Sequence, residues 1–467
     1  LSLAFRCPEL SASGYRCVNV LLVLTFLVLA FVPNPAAGQA ITAIDQERLF
    51  EEERLISIME ESEWSMPPAD PGVTFDYGGW LTTNSYFFDE LDRSSLQPDS
   101  VDGAFSLDLR FWTKVFFRQK HSFYLRLKHQ FNLTDWAGTL ADRSSTDVNG
   151  PHLDMAYATL AFPRGASARI GRQYFKLGRG LALGNVLDGV KLKKNFKKSA
   201  LEMYLAFSRP HTNNMDTSVP GYYLGSNRMF AALAGEYRMT AGRRLYSYLL
   251  VEEDRSQEKP DDPNQTYDYD AAYLAFGADG EVVKNLSYWS EFVKQWGETP
   301  VAGTNATADV SAFAYTLGAR WLPPVYLHPT LSFELFSGSG DPERNSITNT
   351  LSGKTTTTVD NAYRHFSAPR LGLAFSPMLS NIRVERLGVS FKPVGGSRLG
   401  QELLVSVVSS RYMKRKGSGA ISDGRATENS KDVGREIDLY LFWKIWPDLR
   451  VIFRHGRFSP GGAYPAA

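Results

Sequence analysis

From Tyr77 to the end of the chain, side-chain character alternates with a period of two residues. In "FSLDLRFWTKVFFR", one parity carries Phe105, Leu107, Leu109, Phe111, Thr113, Val115 and Phe117. The other carries Ser106, Asp108, Arg110, Trp112, Lys114, Phe116 and Arg118. Successive side chains of a strand point to opposite faces, so this segment reads as a strand with one apolar face and one charged face. The sorting recurs at Leu201–Ser208, at Phe313–Trp321, at Arg386–Lys392 and at Asp438–Ile445. The strands run to roughly 10 residues, enough for a tilted strand to cross a bilayer and longer than the 5–6 usual in soluble sheets.

The connections alternate in length. Short ones are Gln119-Lys120, "PRG" at Pro163–Gly165, "TAG" at Thr240–Gly242, "ADGE" at Ala278–Glu281 and Pro447-Asp448. Long ones are Asn132–Pro151, Pro210–Ser226, Glu253–Thr266, Gly297–Asp309, Gly338–Arg364 and Lys414–Val433. Short turns on one side and long loops on the other describe an all-β, antiparallel transmembrane barrel, whose closure satisfies every backbone hydrogen bond in lipid. About 17 strands are readable, with Ala368–Pro377 taken as part of the longest loop. Trp112, Trp136, Trp289, Trp296, Trp321, Trp443 and Trp446 lie near strand ends, where interfacial girdles sit. "KTTTT" at Lys354–Thr358 reads as an exposed loop tip.

The ends supply the location. Arg6 and Arg16 precede the apolar run Val20–Val32, followed by "PNPAAGQA". That order of basic, apolar and small residues reads as a signal peptide, residues 1–38. Both cysteines, Cys7 and Cys17, fall inside it, so the mature chain would have no disulfide or thiolate chemistry. Residues 39–75 read as an acidic lead-in, with an amphipathic periplasmic helix over 45–64. Residues 76–467 read as the barrel. The near-neutral formal charge, +1, argues against a general nucleic-acid binder.

Tests for chemistry find little. The seven histidines show no paired metal-ligand spacing, and there is no nucleophile elbow or Walker A sequence. His365 near Asp360 and Ser367 is the nearest thing to a catalytic cluster, and a barrel enzyme of lipase or protease type is one alternative. No cofactor is expected. Assigning the polar parity to the lumen places Arg110, Lys114, Arg126, Lys128, Arg169, Lys191, Arg320, Arg386, Lys392, Arg450 and Arg454 inside, some paired with Asp108, Glu202 and Glu334. Unpaired lumen cations would draw anions in. A general small-solute porin is the other alternative.

The stretch "ARIGRQYFKLGRGLALGNVLDGVKL", residues 168–192, is similar to a motif of the bacterial alginate-export family of outer-membrane barrels. The matching elements are Gly171-Arg172-Gln173 and Asp188-Gly189. "FELFSGSGDPE" at 333–343, "VGREIDLYLFW" at 433–443 and "GRFSPGGAY" at 456–464 resemble further family signals in the same order. The resemblance implies an 18-stranded, monomeric outer-membrane barrel with an electropositive lumen that exports an anionic exopolysaccharide. It also implies that Arg172 faces the translocation path, near Asp188, with Gln173 beside them. The expected partners are outer-membrane lipid, an anionic polysaccharide or small anions, and periplasmic export components. The family pattern continues into a further closing strand after this segment, so either that strand is missing here or the count of about 17 is one short.

Overall fold

The computed structural model describes residues 2–6, 72–88, 102–117, 121–136, 143–210, 212, 214–216, 218, 225–240, 242–256, 268–350, 352–367, 369, 371–393, 403–446 and 449–465. The helix expected over 45–64, most of the signal segment and the turns at 119–120 and 447–448 lie outside these residues.

Apart from a single turn of 3₁₀ helix at Pro163–Gly165, every regular element among them is a strand. In chain order these are β1 (Ser2–Arg6), β2 (Val73–Phe88), β3 (Asp102–Phe117), β4 (His121–Trp136), β5 (Arg143–Phe162) and β6 (Ala166–Lys176). Next come β7 (Gly184–Asn195), β8 (Ser199–Phe207), β9 (Arg228–Thr240), β10 (Arg243–Asp254), β11 (Asp270–Val283) and β12 (Leu286–Pro300). The last are β13 (Thr307–Trp321), β14 (Thr330–Gly338), β15 (Ile382–Phe391), β16 (Leu403–Lys414), β17 (Asp432–Trp446) and β18 (Leu449–Pro460). The 17 strands from β2 onward form one antiparallel sheet in which each pairs with its successor in sequence. That up-and-down order needs only hairpins, and it is the order the alternating loop lengths imply.

β1 pairs with β2 from Ser2↔Thr82 to Arg6↔Gly78, and with β18 at Ser2↔Arg450 and Leu3↔Leu449. It therefore stands where the expected closing strand would, and it comes from the segment read as a signal peptide. A chain cleaved after residue 38 would lack it.

The two faces of the sheet are sorted as the alternation requires. On β8, Leu201, Met203, Leu205 and Phe207 are exposed while Ala200, Tyr204 and Ala206 are buried. On β3 the buried parity is Ala104, Ser106, Asp108 and Arg110. Exposed Leu, Phe, Ile and Met on one parity of strand after strand give an apolar outer surface suited to lipid. The inner face is polar, and part of it is covered by inward-folded loops.

Three local expectations change. "ADGE" is not a turn: β11 runs on to Val283 and the chain reverses at Lys284-Asn285, where Asn285 has φ 68°. Gly280 stays in the ladder opposite Arg243, and Gly277 leaves room for the Tyr246 ring, which a Cβ there would strike. The loop expected at Asn132–Pro151 is mostly strand, because β4 and β5 extend as a long paired hairpin out to Trp136↔Arg143. Trp112 and Trp289 do not belong to a lipid-facing girdle. Trp112 shares the inward parity of Arg110 and stacks on Tyr124 (6.2 Å), and Trp289 is 7% exposed on the inward parity of β12. Trp296, Trp321, Trp443 and Trp446 are exposed on the outer face. The side chain of Trp136 lies outside the described residues.

Candidate functional site

Two loops fold back into the sheet. The first joins β6 to β7 and is the glycine-rich part of residues 168–192. Leu177, Leu181, Ala182 and Leu183 are each at most 1% exposed, because apolar side chains in a loop must find a wall to cover them. Glu291 of β12 holds this loop, accepting hydrogen bonds from the Arg179 backbone N–H (2.6 Å), Tyr246 Oη–H (2.7 Å) and Tyr248 Oη–H (3.0 Å). Gly178 has φ 53°, and a Cβ there would overlap the Glu291 carboxylate, so the close approach depends on glycine. The Arg179 guanidinium lies 4.8 Å from the Trp289 ring, and Arg320 lies 5.7 Å from it.

The second is the long loop between β14 and β15, residues 339–381. It crosses the inner side of the sheet as a strap. At one end Arg364 N–H donates to Gln295 Oε1 (3.0 Å) of β12, and Tyr273 Oη–H of β11 donates to the Arg364 carbonyl (3.1 Å). At the other, Glu436 of β17 accepts from the backbone N–H groups of Leu373 (2.7 Å), Ala374 (2.7 Å) and Phe375 (3.1 Å), and from Tyr412 Oη–H (2.7 Å). The two loops also join each other. Gly184 N–H donates to the Phe366 carbonyl, Phe366 N–H to the Ala182 carbonyl, and Tyr363 Oη–H to the Leu181 carbonyl. Within the strap, Arg344 and Asp360 pair at 2.8 Å and both are fully buried. Lys354 is likewise buried, against Asp341 and Glu343, so only the threonines of "KTTTT" are at the surface.

Arg364 is fully buried, lies 5.4 Å from the Tyr269 ring, and has no hydrogen-bond partner for its three guanidinium nitrogens among the described residues. Burial and nearby Arg344 push its pKa down to about 10, which leaves it charged at neutral pH. His365 is not catalytic. Its Nδ1 donates to the Ser367 carbonyl (2.8 Å) and its Nε2 accepts from Leu379 N–H (3.1 Å), so both ring nitrogens are occupied. Burial holds it neutral, with a pKa near 4. Asp360 is turned to Arg344, not to His365.

The remaining expected path residues fall into separate groups. Arg110, Arg126 and Lys128 form a buried cluster with Asp108 and Asp154: Arg110–Asp108 is 3.0 Å, Lys128–Asp108 is 3.5 Å and Arg126–Asp154 is 2.5 Å. Asp154 and Trp80, under the two arginines, were not recognisable as members of this cluster from sequence. Lys114 lies over Phe116 on the same face of β3. Lys191 and Lys193 share Glu202 at 3.3 and 2.7 Å, while Arg169 lies 4.7 Å from the Tyr157 ring. Arg386 pairs with Glu334 at 3.1 Å. Arg450 and Arg454 keep the inward parity of β18 opposite Lys444 and Tyr440, and Lys392 follows the end of β15. Gln173 is buried and donates to the carbonyls of Arg169 and Gly189.

Arg172 and Asp188 are placed differently. They are register partners joined by two hydrogen bonds, Nε to Oδ1 (2.7 Å) and Nη2 to Oδ2 (2.9 Å). Partners across a ladder share a face. Asp188 is opposite Phe207, an exposed residue of the outer row, whereas Arg169, Lys191 and Tyr204 form an inward row. The pair shares the row of Phe207 and is mutually neutralised, with Arg172 Nη1 also donating to the Leu153 carbonyl (3.0 Å), while Tyr174 and Val186 of the same parity belong to one buried cluster with Tyr124 and Tyr157.

The alginate-export family model matches residues 92–467. The chain belongs to the alginate-export family. It is a β-barrel channel protein of the bacterial outer membrane and not an enzyme. No curated protein matches the sequence. Among solved structures, Pseudomonas aeruginosa OccK11 (OpdR) is 11% identical with a TM-score of 0.49, over 84% of this chain and 91% of that one. Acinetobacter baumannii OccAB3 is 13% identical with a TM-score of 0.49, over 84% and 95%.

Proposed function

We propose that this channel passes an alginate-like anionic polysaccharide, or other anions, passively outward along the inner wall formed by β5 to β8. The carrying observation is that Arg169 lies directly opposite Lys191 in the inward row, with Lys193 two residues on and Glu202 as the paired carboxylate. Like charges in register are unfavourable by a few tenths to about 1 kcal/mol. An anion in the lumen relieves that repulsion, and guanidinium groups bind carboxylates through paired hydrogen bonds. Lys191 and Lys193 share the one carboxylate of Glu202.

A small-solute porin is the second reading. The adjoining wall of β9 to β11 favours it, because there Arg244 is balanced by Asp279 and Glu236, and Arg228 lies between Glu252 and Asp254. Block of single-channel current by short uronic-acid oligomers separates the two. The anion path predicts a block that neutral oligosaccharides of equal length do not give. Arg169→Gln/Lys191→Gln/Lys193→Gln should require about tenfold more oligomer for half-block, equivalent to ~1.4 kcal/mol over three partly screened contacts. Equal block by neutral and acidic oligomers, unchanged in the variant, favours the porin reading.

A further inference from the structure

The outer face of β15 to β18 carries a cluster of cations that the lumen cannot use. Arg411 of β16 lies directly opposite Arg435 of β17, and both are exposed on the outward parity. Arg457 of β18 is exposed one row closer to the membrane centre, opposite Ile437, and Arg383 of β15 is one row further out. Among the described residues the acidic groups on this face are Glu385, opposite Arg411 on its β15 side and paired with Arg383 at 2.5 Å, and Asp432, opposite Met413. His455 lies below, opposite Leu439. Four arginines thus face two carboxylates. On β6 and β7 the contrast is plain, since Arg172 there is neutralised by Asp188.

Position identifies the partner. The cluster is at the long-loop end of the strands, which is the cell-exterior end of an outer-membrane barrel. Below it the outer face is apolar, with Leu387, Val389, Val407, Ile437 and Phe453 exposed, and Trp443 and Trp446 mark the short-turn end. From Trp446 to Arg435 is 11 residue steps along β17. At about 3.3 Å per residue and a tilt near 40°, that rises roughly 28 Å, close to the ~25 Å height of the apolar band. The guanidinium groups therefore stand at the level of the outer-leaflet headgroups. We propose that Arg411, Arg435 and Arg457 bind the phosphate groups of lipid A, the phosphorylated glycolipid of that leaflet. A phosphate between Arg411 and Arg435 turns a repulsive register pair into two charge-assisted contacts, the use for which arginine's planar fork is suited.

The test is native mass spectrometry of the full chain, folded in detergent and titrated with bisphosphorylated lipid A or with the same lipid after removal of both phosphates. The proposal expects the phosphorylated lipid to bind at least tenfold more tightly. It also expects Arg411→Gln/Arg435→Gln/Arg457→Gln, with native β-sheet circular dichroism, to lose that difference, while Arg243→Gln at the short-turn end keeps it. Equal retention of both lipids by the wild-type chain overturns it, as does a folded triple variant that still discriminates. Displacement of lipid A by equimolar inorganic phosphate also overturns it, since the site would then be one for free phosphate. If the triple variant does not fold, the pair of lipids on the wild-type chain decides the matter alone.

Discussion

Glu436→Ala is expected to release residues 371–375 from the barrel wall while leaving the sheet in place. One carboxylate accepts three backbone N–H groups and one phenol; of its partners Tyr412 is 0% and Phe375 2% exposed, Leu373 is half-buried and Ala374 is exposed. Removing an acceptor from buried donors costs about 1–3 kcal/mol per orphaned group before relaxation. Because the freed segment can move into water, part of that is recovered, and a net local loss on the order of 4 kcal/mol follows. The sheet ladder of β16 and β17 does not depend on this side chain, so the change is confined to the strap. Hydrogen exchange read by mass spectrometry should show protection at 371–375 falling by two to three orders of magnitude, with protection on β16 and β17 kept. Glu436→Gln, which retains an acceptor without the charge, should fall between. Unchanged protection in the alanine variant would mean that the strap is held by its apolar contacts.

Acidification should loosen the same strap from its middle. His365 has its pKa lowered by burial to about 4 from an ordinary 6.5. The sign follows from proton counting. Between pH 6.5 and 4 the released form binds a proton that the docked form excludes, so stability of the docked form falls as pH falls. It is fully present above pH 6.5 and lost by about pH 4, with a total on the order of 3 kcal/mol for a shift of this size. Exchange protection at 363–367 should therefore decline steadily across that window. His365→Gln should flatten the dependence, since its amide can keep one of the two contacts without titrating. A wild-type profile that is flat from pH 7 to 4.5 would mean that His365 is not the controlling group.

The period-two alternation made the fold legible, because each strand must sort its own side chains whatever its neighbours are. Parity also made some of the site legible: Asp108, Glu202 and Glu334 were expected to pair with inward cations, and they do so with Arg110 and Lys128, with Lys191 and Lys193, and with Arg386. The misplacements arose where another cue was set above parity. Arg172 is three residues from Arg169, an odd step that takes it out of the Arg169 row and against Asp188, but the motif suggested a common row. Trp112 and Trp289 were judged by nearness to strand ends when their parity already turned them inward. The Asp-Gly at 279–280 has hairpin chemistry, yet pairing with β10 and β12 outweighs it. The inward loops were legible only as apolar residues in unlikely places, Leu177, Leu181 and Leu183. Which wall they meet is set by contacts as far apart in sequence as Tyr363 and Leu181, a separation of 182 residues, and no local pattern encodes that.

The central claim is that an excess of inward cations makes this outer-membrane channel favour anions. The reversal potential of the wild-type channel in a planar bilayer under a tenfold potassium chloride gradient tests it most directly. The account predicts a potential of the sign set by chloride, shrinking toward zero as bulk salt is raised and screening shortens the reach of Arg169 and Lys191. A potential of the potassium sign, or none at low salt, would contradict it.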